Sequence, residues 1–240
     1  MKLLVVIPAR LASSRLPNKP LLRINGESMI ALTAGKVLAG GLSPVVVATD
    51  SPLVFEEVEP LEGVIPVMTS TKHACGTERV LEAYEKLRDR LGRPDAIVNV
   101  QGDEPFISPM MLRELAAELR KRREKAEFWT TVTDLPVHER EDRNVAKVAL
   151  DLQDNALIFT RDPLQNAYKH TSVYVYTPEL LRRFCRLSRT PLEIAYRLEQ
   201  MRALEHGITL NCIRLPYDAV SINTVKDLQK ANIRNYVIYR

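Results

Sequence analysis

A short apolar run near the start of the chain passes directly into a basic loop, and together they read Leu3-Leu4-Val5-Val6-Ile7-Pro8-Ala9-Arg10-Leu11-Ala12-Ser13-Ser14-Arg15-Leu16-Pro17-Asn18-Lys19-Pro20-Leu21. The apolar part is typical of a strand that is buried on both faces of a parallel sheet. Small residues let backbone N–H groups approach phosphate oxygens, and Arg10, Arg15 and Lys19 can neutralise several negative charges. The stretch therefore predicts a triphosphate-binding loop at the carboxyl end of a strand, although a solvated basic surface loop would have the same composition.

Further apolar runs alternate with helical patterns along the first half of the chain. Residues 45–48, 64–68 and 97–100 are predicted strands, and residues 28–38, 76–91 and 108–121 are predicted helices. This succession predicts an α/β fold with a doubly wound, mainly parallel sheet. In such a fold, ligands bind at the carboxyl ends of the strands.

The pattern changes after residue 123, where predicted strands are joined by loops instead of helices. These strands cover residues 128–133, 145–150, 156–160 and 172–176, and they predict antiparallel additions to the sheet. Two helices at residues 178–185 and 191–206, a returning strand at 210–214 and a last helix at 224–233 follow. We expect one domain over residues 1–240 with two functional halves, residues 1–125 and 126–240.

Composition limits the class of protein. The 240 residues are 45% hydrophobic and 27% charged, as in globular enzymes, and the apolar segment at residues 1–7 is too short for a signal peptide or a membrane span. The net charge is +4, but basic residues are mixed with acidic ones except at residues 120–125, a predicted solvated helix end, so we expect no nucleic-acid partner. Three scattered cysteines favour a reducing cytoplasm over a disulfide framework or a zinc site.

A second group of chemically useful residues follows the strand predicted to end at residue 100 and reads Gln101-Gly102-Asp103-Glu104-Pro105. An Asp at a strand end can hold Mg²⁺, which prefers carboxylate, water and phosphate oxygens. Gly102 would allow close approach of a nucleotide. A turn with a helix cap would also explain the Gly-Asp-Glu-Pro part of this segment.

A third group lies between a predicted strand and a predicted helix and reads Thr69-Ser70-Thr71-Lys72-His73-Ala74-Cys75-Gly76-Thr77-Glu78-Arg79. Hydroxyls and free N–H groups at a helix start can hydrogen-bond the edge of a base. Helix capping explains the end of this run equally well, with Thr77 as the predicted cap and Glu78 near the positive end of the helix dipole.

Taken together and in this order, the three segments resemble the 3-deoxy-manno-octulosonate cytidylyltransferase family. The likeness continues through nearly the whole chain, at Asn144-Val145-Ala146-Lys147-Val148, Ala156-Leu157-Ile158-Phe159-Thr160-Arg161, Lys169-His170 with Tyr174, and Leu198-Glu199-Gln200-Met201-Arg202. The resemblance implies a fold of the nucleotide-diphospho-sugar transferase type. It also implies transfer of CMP from CTP to an acidic sugar, with release of pyrophosphate, for lipopolysaccharide or surface-glycan synthesis.

The resemblance also implies roles for individual residues and for the two halves. Catalysis would involve Arg10, Lys19 and Asp103, and Mg²⁺ would be held by Asp103 and Asn223. The nucleotide-binding residues, mainly in the first half, would be Pro8, Ala9, Arg10, Arg15, Lys19, Ser70, His73, Gly76, Gln101 and Gly102. The second half would form a smaller subdomain for dimerisation and sugar binding, with the sugar facing Arg161, His170, Tyr174, Glu199 and Gln200. A homodimer is expected on the same ground.

The chain departs from the family pattern mainly in the part expected to hold the sugar. Asn223 stands where the family usually has an Asp, and it can offer a carbonyl oxygen to a metal but no negative charge. Tyr196 replaces a Glu, Cys75 replaces a Ser, and the stretch between Arg161 and Lys169 is short. These changes leave two alternatives: a different acidic sugar, such as an 8-amino-octulosonate or a nonulosonate, or an inactive relative that binds CTP without turnover.

Overall fold

The computed structural model describes residues 1–13, 15–122, 126–218, 220–231, 233 and 236–238. Three parts of the sequence predictions therefore lie outside the described residues: Ser14 in the basic loop, residues 123–125 in the predicted solvated helix end, and residue 232 in the last predicted helix.

The first part of the chain alternates strands and helices. In order, they are β1 (Leu3–Ala9), β2 (Arg23–Ile24), β3 (Glu27–Ser28), α1 (Met29–Ala39), β4 (Val45–Thr49), α2 (Pro52–Val58), β5 (Val64–Met68), α3 (Gly76–Leu91), β6 (Ala96–Asn99) and α4 (Pro109–Lys121).

The later part is richer in strands that follow one another directly. In order, the elements are β7 (Phe128–Asp134), β8 (Lys147–Leu150), β9 (Ala156–Thr160), β10 (Tyr168–Tyr176), α5 (Pro178–Cys185), α6 (Pro191–Tyr196), α7 (Met201–Glu205), β11 (Asn211–Arg214), α8 (Val225–Lys230) and β12 (Tyr236–Val237).

These elements form two compact units, the first made of Met1–Arg113 with Ala219–Arg240 and the second of Glu114–Asp218. In the first unit, four parallel strands lie in the order β6-β1-β4-β5. Every residue of β1, β4 and β6 is buried, as expected for strands covered on both faces. Because the strands are parallel, the segments that follow β1, β4 and β6 leave the same edge of the sheet.

Most sequence predictions for this unit agree with the structure, and one about a helix cap is wrong. α3 has the predicted bounds, but its N-cap is Cys75 and Thr77 lies inside the first turn, buried to 3% exposure. The short pairing of β12, β2 and β3 and the seven-residue helix α2 were not predicted. Two-residue strands are too short to give a period in the sequence.

The second unit contains the predicted antiparallel additions. β10 pairs antiparallel with β7 and β8, β8 pairs antiparallel with β9, and only β11 runs parallel to its neighbour β7. The predicted α/β class, a mainly parallel sheet with antiparallel additions, is thereby confirmed. The assignment of separate nucleotide and sugar halves to residues 1–125 and 126–240 stays a prediction.

The continuous helix predicted at residues 191–206 is wrong. α6 ends at Tyr196, where Arg197 takes a left-handed conformation with φ 54°, and α7 begins at Met201. The break lets Arg202 donate two hydrogen bonds to the buried carboxylate of Glu193, at 2.8 and 2.6 Å. In an unbroken helix these residues would be about 13 Å apart along the axis. Among the helices in the described parts of the chain, none is long and apolar enough to cross a bilayer.

Candidate active site

A cavity of about 290 Å³ opens in the first unit where the chain leaves β1 and β6. It is lined by Pro8, Ala9, Arg10, Ala12, Ser13, Arg15, Lys19, Pro20, Met29, His73, Ala74, Cys75, Gly76, Arg79, Gln101, Gly102, Asp103 and Asn223. The wall therefore includes every residue predicted to bind nucleotide or metal, with the exception of Ser70. Their roles stay predictions, but the fold places these residues around one space.

The basic loop is anchored by one apolar residue in its middle. Leu16 is 1% exposed and packs in a cluster that also contains Ile222 and Leu228, from the end of the chain. Burying a leucine side chain contributes about 1.5–3 kcal/mol. This anchor fixes its neighbour Arg15 close to Asn223, the residue after Ile222.

Four polar side chains at the cavity wall form one hydrogen-bonded group, which we call the charged cluster: Arg15, Lys19, Asp103 and Asn223. Lys19 Nζ lies 2.6 Å from Asp103 Oδ2 and 3.2 Å from Asn223 Oδ1. Arg15 Nη2 donates to the same Asn223 oxygen at 2.9 Å. The Lys19 and Asp103 side chains are 16% and 23% exposed, so both remain accessible to a ligand.

The backbone holds the two oxygen-bearing residues of the charged cluster side by side. The Ile222 N–H donates to the Asp103 carbonyl at 2.9 Å, which ties the segment after β6 to the end of the chain. The Asn223 N–H donates to Asp227 Oδ2 at 2.9 Å, within the capping box at the start of α8. The helix start thus fixes the position of Asn223.

Glycine is required at position 102 by close packing. A Cβ there would lie 2.9 Å from the Pro8 backbone oxygen, a distance that real side chains do not reach. Gly102 thus lets the segment after β6 approach the end of β1; the close approach of a nucleotide expected there stays a prediction. A larger residue would push the Asp103 segment away from the basic loop.

The oxygens of Asp103 and Asn223 fit the Mg²⁺ that the family resemblance implies. Both lie within 3.2 Å of Lys19 Nζ at the cavity wall. Mg²⁺ is usually held by one or two carboxylates together with waters and substrate phosphates, and rarely by a cage of protein ligands alone. Over the residues that the structure describes, no three His, Cys, Asp or Glu side chains are grouped as metal ligands.

Arg79 lines the cavity, but the sequence analysis gave it no role. The segment that contains it was explained there by helix capping. Arg79 is 3% exposed, and its Nη2 donates to Asp50 Oδ2 at 2.8 Å while Nη1 donates to Thr69 Oγ1 at 2.5 Å. Asp50 Oδ1 also accepts the Leu11 N–H of the basic loop at 3.1 Å. Arg79 thus links α3, the ends of β4 and β5, and the loop, and its only signal in the sequence was a cation beside a predicted binding segment.

The segment predicted to contact the base is only partly at the cavity. His73 and Gly76 line it, whereas Ser70 lies outside the lining. The Ser70 N–H donates to Glu82 Oε2 at 2.8 Å, and its Oγ accepts the Lys72 N–H at 3.1 Å. In this structure Ser70 hydrogen-bonds to α3 and within its own segment.

The second unit holds a group that we call the neutral cluster: the buried Thr130, His170 and Gln200, and the half-buried Tyr174. Thr130 Oγ1 donates to the Val173 carbonyl at 2.7 Å, so at its 2.8 Å contact with His170 Nε2 the imidazole is the donor. Burial, helped by the nearby Arg161 charge, lowers the pKa of His170 to about 3. Tyr174 donates to Gln200 Oε1 at 3.1 Å, and burial raises the pKa of its phenol.

An irregularity in β10 places His170 and Tyr174 in one cluster. His170 pairs with Val132 and Tyr174 pairs with Thr130, so a step of four residues along β10 corresponds to a step of two residues along β7. The intervening Ser172 is in the left-handed region at φ 58°. The two rings lie 5.2 Å apart between centroids as a result. Extra residues of this kind re-aim side chains and are frequent beside functional sites.

The other two residues predicted to face the sugar carry charges that act on this cluster. Arg161 lowers the pKa of both His170 and Tyr174, and Glu199 raises that of Tyr174. Arg161 Nη1 donates to the Asn144 carbonyl at 2.8 Å, and fully buried Lys147 donates to the Arg161 carbonyl at 3.2 Å. The fold therefore brings together all five residues predicted for the sugar.

Known proteins resemble the chain over almost its full length. A sequence profile of the family described as Cytidylyltransferase matches residues 4–210. The 3-deoxy-manno-octulosonate cytidylyltransferase of Geobacter metallireducens is 36% identical, with 96% of each chain covered. The 8-amino-3,8-dideoxy-manno-octulosonate cytidylyltransferase of Shewanella loihica is 36% identical, with 98% of each chain covered. A solved structure of CMP:2-keto-3-deoxy-manno-octonic acid synthetase complexed with CTP is 32% identical, with a TM-score of 0.86 over 96% of this chain and 97% of that one.

Proposed function

The chain belongs to the cytidylyltransferase family, and we propose that it transfers CMP from CTP to 3-deoxy-manno-octulosonate or a close relative. Pyrophosphate is the second product, and the CMP-activated sugar serves lipopolysaccharide or surface-glycan synthesis. The names of the relatives support the octulosonate, and the Shewanella relative supports an 8-amino derivative as the second candidate.

The observation that carries the proposal is the charged cluster at the cavity wall. Arg15 and Lys19, with Arg10 on the same wall, supply three positive charges against the single carboxylate of Asp103. A surplus of cations at a strand end suits a triphosphate, whose charge grows on the leaving pyrophosphate during transfer. Catalysis then depends on positioning two anions and stabilising charge, with no covalent enzyme intermediate.

In the proposed reaction the anomeric hydroxyl oxygen of the sugar attacks the α-phosphorus of CTP. The bond from that phosphorus to the bridging oxygen breaks, the electron pair leaves with pyrophosphate, and the hydroxyl proton passes to solvent. Arg10, Arg15 and Lys19 stabilise charge on the phosphate oxygens. Asp103 and Asn223 would hold Mg²⁺, whose chemistry there is neutralisation of phosphate charge.

The neutral cluster is proposed to bind the sugar. His170 and Tyr174 remain uncharged at neutral pH and can hydrogen-bond hydroxyl groups without attracting phosphate. Arg161 is proposed to pair with the sugar carboxylate, because a guanidinium matches that group with two parallel hydrogen bonds. Of the five residues predicted to face the sugar, Arg161 is thus the cation, Glu199 is an acidic residue, and the other three are neutral donors and acceptors.

We also infer a homodimer that works in the cytoplasm. The second unit exposes apolar side chains on its β8–β9 hairpin, Leu152 at 98% and Leu157 at 62%, and a second copy of the chain would cover them. None of Cys75, Cys185 and Cys212 forms a disulfide, as is usual in a reducing compartment. Light scattering of the purified protein tests the dimer, and a monomeric mass would contradict it.

The function is tested by pyrophosphate release from CTP and Mg²⁺ in the presence of a panel of acidic sugars. We expect release with 3-deoxy-manno-octulosonate and none without an acceptor. Release only with the 8-amino derivative or a nonulosonate would keep the reaction and change the acceptor. CTP binding without release from any acceptor would overturn the enzyme assignment in favour of an inactive nucleotide-binding relative.

A further inference from the structure

Two carboxylates on α3 that the proposed reaction does not use are turned toward the segment before that helix. Glu82 Oε2 accepts the Ser70 N–H at 2.8 Å and also contacts His73 Nε2. Glu78 Oε2 accepts the Ala74 N–H at 2.8 Å and lies 3.6 Å from His73 Nδ1. The loop that carries His73 to the cavity wall is therefore held by the helix that follows it.

Glu82 is itself held in place from its other side. Lys86 Nζ lies 2.8 Å from Glu82 Oε1 and 2.7 Å from the Met68 carbonyl at the end of β5. Burial alone would raise the pKa of Glu82, but hydrogen bonds from Lys86, Ser70 and His73 outweigh it and lower the pKa to about 2. Glu82 is thus an anion at any working pH, and the His73 nitrogen facing it carries a proton.

We propose that Glu82 is a positioning residue for recognition of the nucleotide base. Its carboxylate fixes the ring of His73 and the backbone of Ser70, and so sets the shape of the cavity wall formed by His73, Ala74, Cys75 and Gly76. The inference rests on the proposed function, since it takes CTP as the ligand of this cavity. Glu82 is not part of the lining, so it acts through the residues that it holds.

Glu82 fixes the position of the loop before α3 and contributes little to the stability of the fold. Its side chain is 24% exposed and sits on the outer part of a sixteen-residue helix whose core residues, among them Val80 and Leu87, are buried independently of it. Removing a partly exposed carboxylate from such a helix leaves the packing of the sheet intact. The loop ahead of the helix would lose its two contacts with that carboxylate.

The test is calorimetric titration of CTP and UTP into the wild type and three variants without sugar. Glu82→Ala should weaken CTP binding about tenfold, the value of a charge-assisted hydrogen bond. It should lower the preference for CTP over UTP, whereas Glu82→Gln, which keeps an oxygen acceptor, should restore much of both. The matched control is Asp89→Ala, which removes the same charge from a 95% exposed side chain on the same helix and should bind like the wild type.

Each outcome separates this inference from the proposed function. Binding by Glu82→Ala that equals the wild type in strength and in CTP preference would overturn the positioning role, whether or not the wild type turns over. Equal weakening for CTP and UTP without rescue by Glu82→Gln would also overturn it, since loss of structure would act in that way. A wild type that binds CTP but makes no product would contradict the proposed reaction; combined with weaker and less selective binding by Glu82→Ala and rescue by Glu82→Gln, it would still support the positioning role.

Discussion

The cavity of the first unit and the neutral cluster of the second unit differ in the groups that they present to a ligand: the first presents charged side chains and the second presents uncharged ones. The charged cluster consists of side chains at a cavity wall, held by an ion pair and by hydrogen bonds from cations to one amide oxygen. The neutral cluster is more deeply buried: His170 is 6% exposed and Gln200 2%, and burial keeps the imidazole uncharged.

The difference follows from the ligands that the two regions are proposed to hold. A triphosphate has high charge and little shape that a protein must distinguish, so exposed cations at the end of a strand suit it. A sugar has many hydroxyls of similar polarity, and discrimination among them needs fixed, desolvated donors and acceptors. The first unit would therefore supply positive charge for the phosphates, and the second would supply hydrogen-bond donors and acceptors in fixed positions for the sugar.

The largest expected effect comes from removing the only carboxylate of the charged cluster. Asp103→Ala should lower kcat by a factor of about 10² or more, the scale reported for losing one group that stabilises a transition state. Pyrophosphate release at saturating CTP measures it, with circular dichroism to confirm the fold. The control Asp89→Ala should retain full activity, and retention of most activity by Asp103→Ala would remove Asp103 from the reaction.

The buried histidine of the neutral cluster should make stability depend on pH. Because the folded-state pKa of His170 is lowered to about 3, the unfolded chain binds the extra proton between about pH 3 and 6.5. The free energy of unfolding should therefore fall with decreasing pH, approaching about 1.4 kcal/mol per unit once the pH is well below 6.5.

Urea denaturation at several pH values between 5 and 7.5 measures this slope. His170→Gln should flatten it, whereas the control His138→Gln, which replaces an exposed histidine, should keep it. A slope that is the same in the wild type and in His170→Gln would show that His170 is not buried in its neutral form.

A smaller and more selective effect is expected from Tyr174→Phe. The change removes the hydroxyl that donates to Gln200 Oε1 at 3.1 Å, and the KM for the sugar should rise about tenfold. The KM for CTP should not change. The control Tyr217→Phe removes a hydroxyl that donates to Glu114 in the same unit, and it should leave both KM values unaltered. A raised KM for CTP in Tyr174→Phe would contradict the proposal that the neutral cluster binds the sugar and not the nucleotide.

The smallest expected effect is on the metal requirement. Asn223→Asp adds a negative charge beside Asp103 and should lower the Mg²⁺ concentration for half-maximal activity by about threefold, since a second carboxylate strengthens a hard-cation site. Asn25→Asp adds the same charge in the exposed β2–β3 turn and serves as the control. An unchanged Mg²⁺ titration would place the ion away from Asn223.

Much of the first unit could be predicted because its signals are local. The buried strand β1, its basic loop and the Gln-Gly-Asp-Glu-Pro segment are continuous in sequence, and parallel strands place such segments at one edge of the sheet. Contacts across long separations were not predictable, such as Leu16 with Ile222 or Arg79 with Asp50. Ser70 was expected to contact the base, and the structure leaves it outside the cavity lining.

The strands of the second unit were predicted from the sequence pattern, but its site residues were predicted only through resemblance. Nothing in the sequence alone indicates that His170 and Tyr174, four residues apart on one strand, have adjacent rings, because this depends on the irregular pairing of β10. The break between α6 and α7 was also missed. Apolar periodicity continues across it, and the buried ion pair between Glu193 and Arg202 that the break allows forms only in the folded chain.

Phosphorus NMR of a single reaction mixture can follow both products of the proposed transfer of CMP to an acidic sugar. With CTP, Mg²⁺ and 3-deoxy-manno-octulosonate, the three triphosphate signals should disappear while one phosphodiester signal and free pyrophosphate grow in equal amounts. The same mixture with Asp103→Ala should keep the triphosphate signals. Pyrophosphate accompanied by free CMP, without a phosphodiester, would show hydrolysis instead of transfer and would contradict the account.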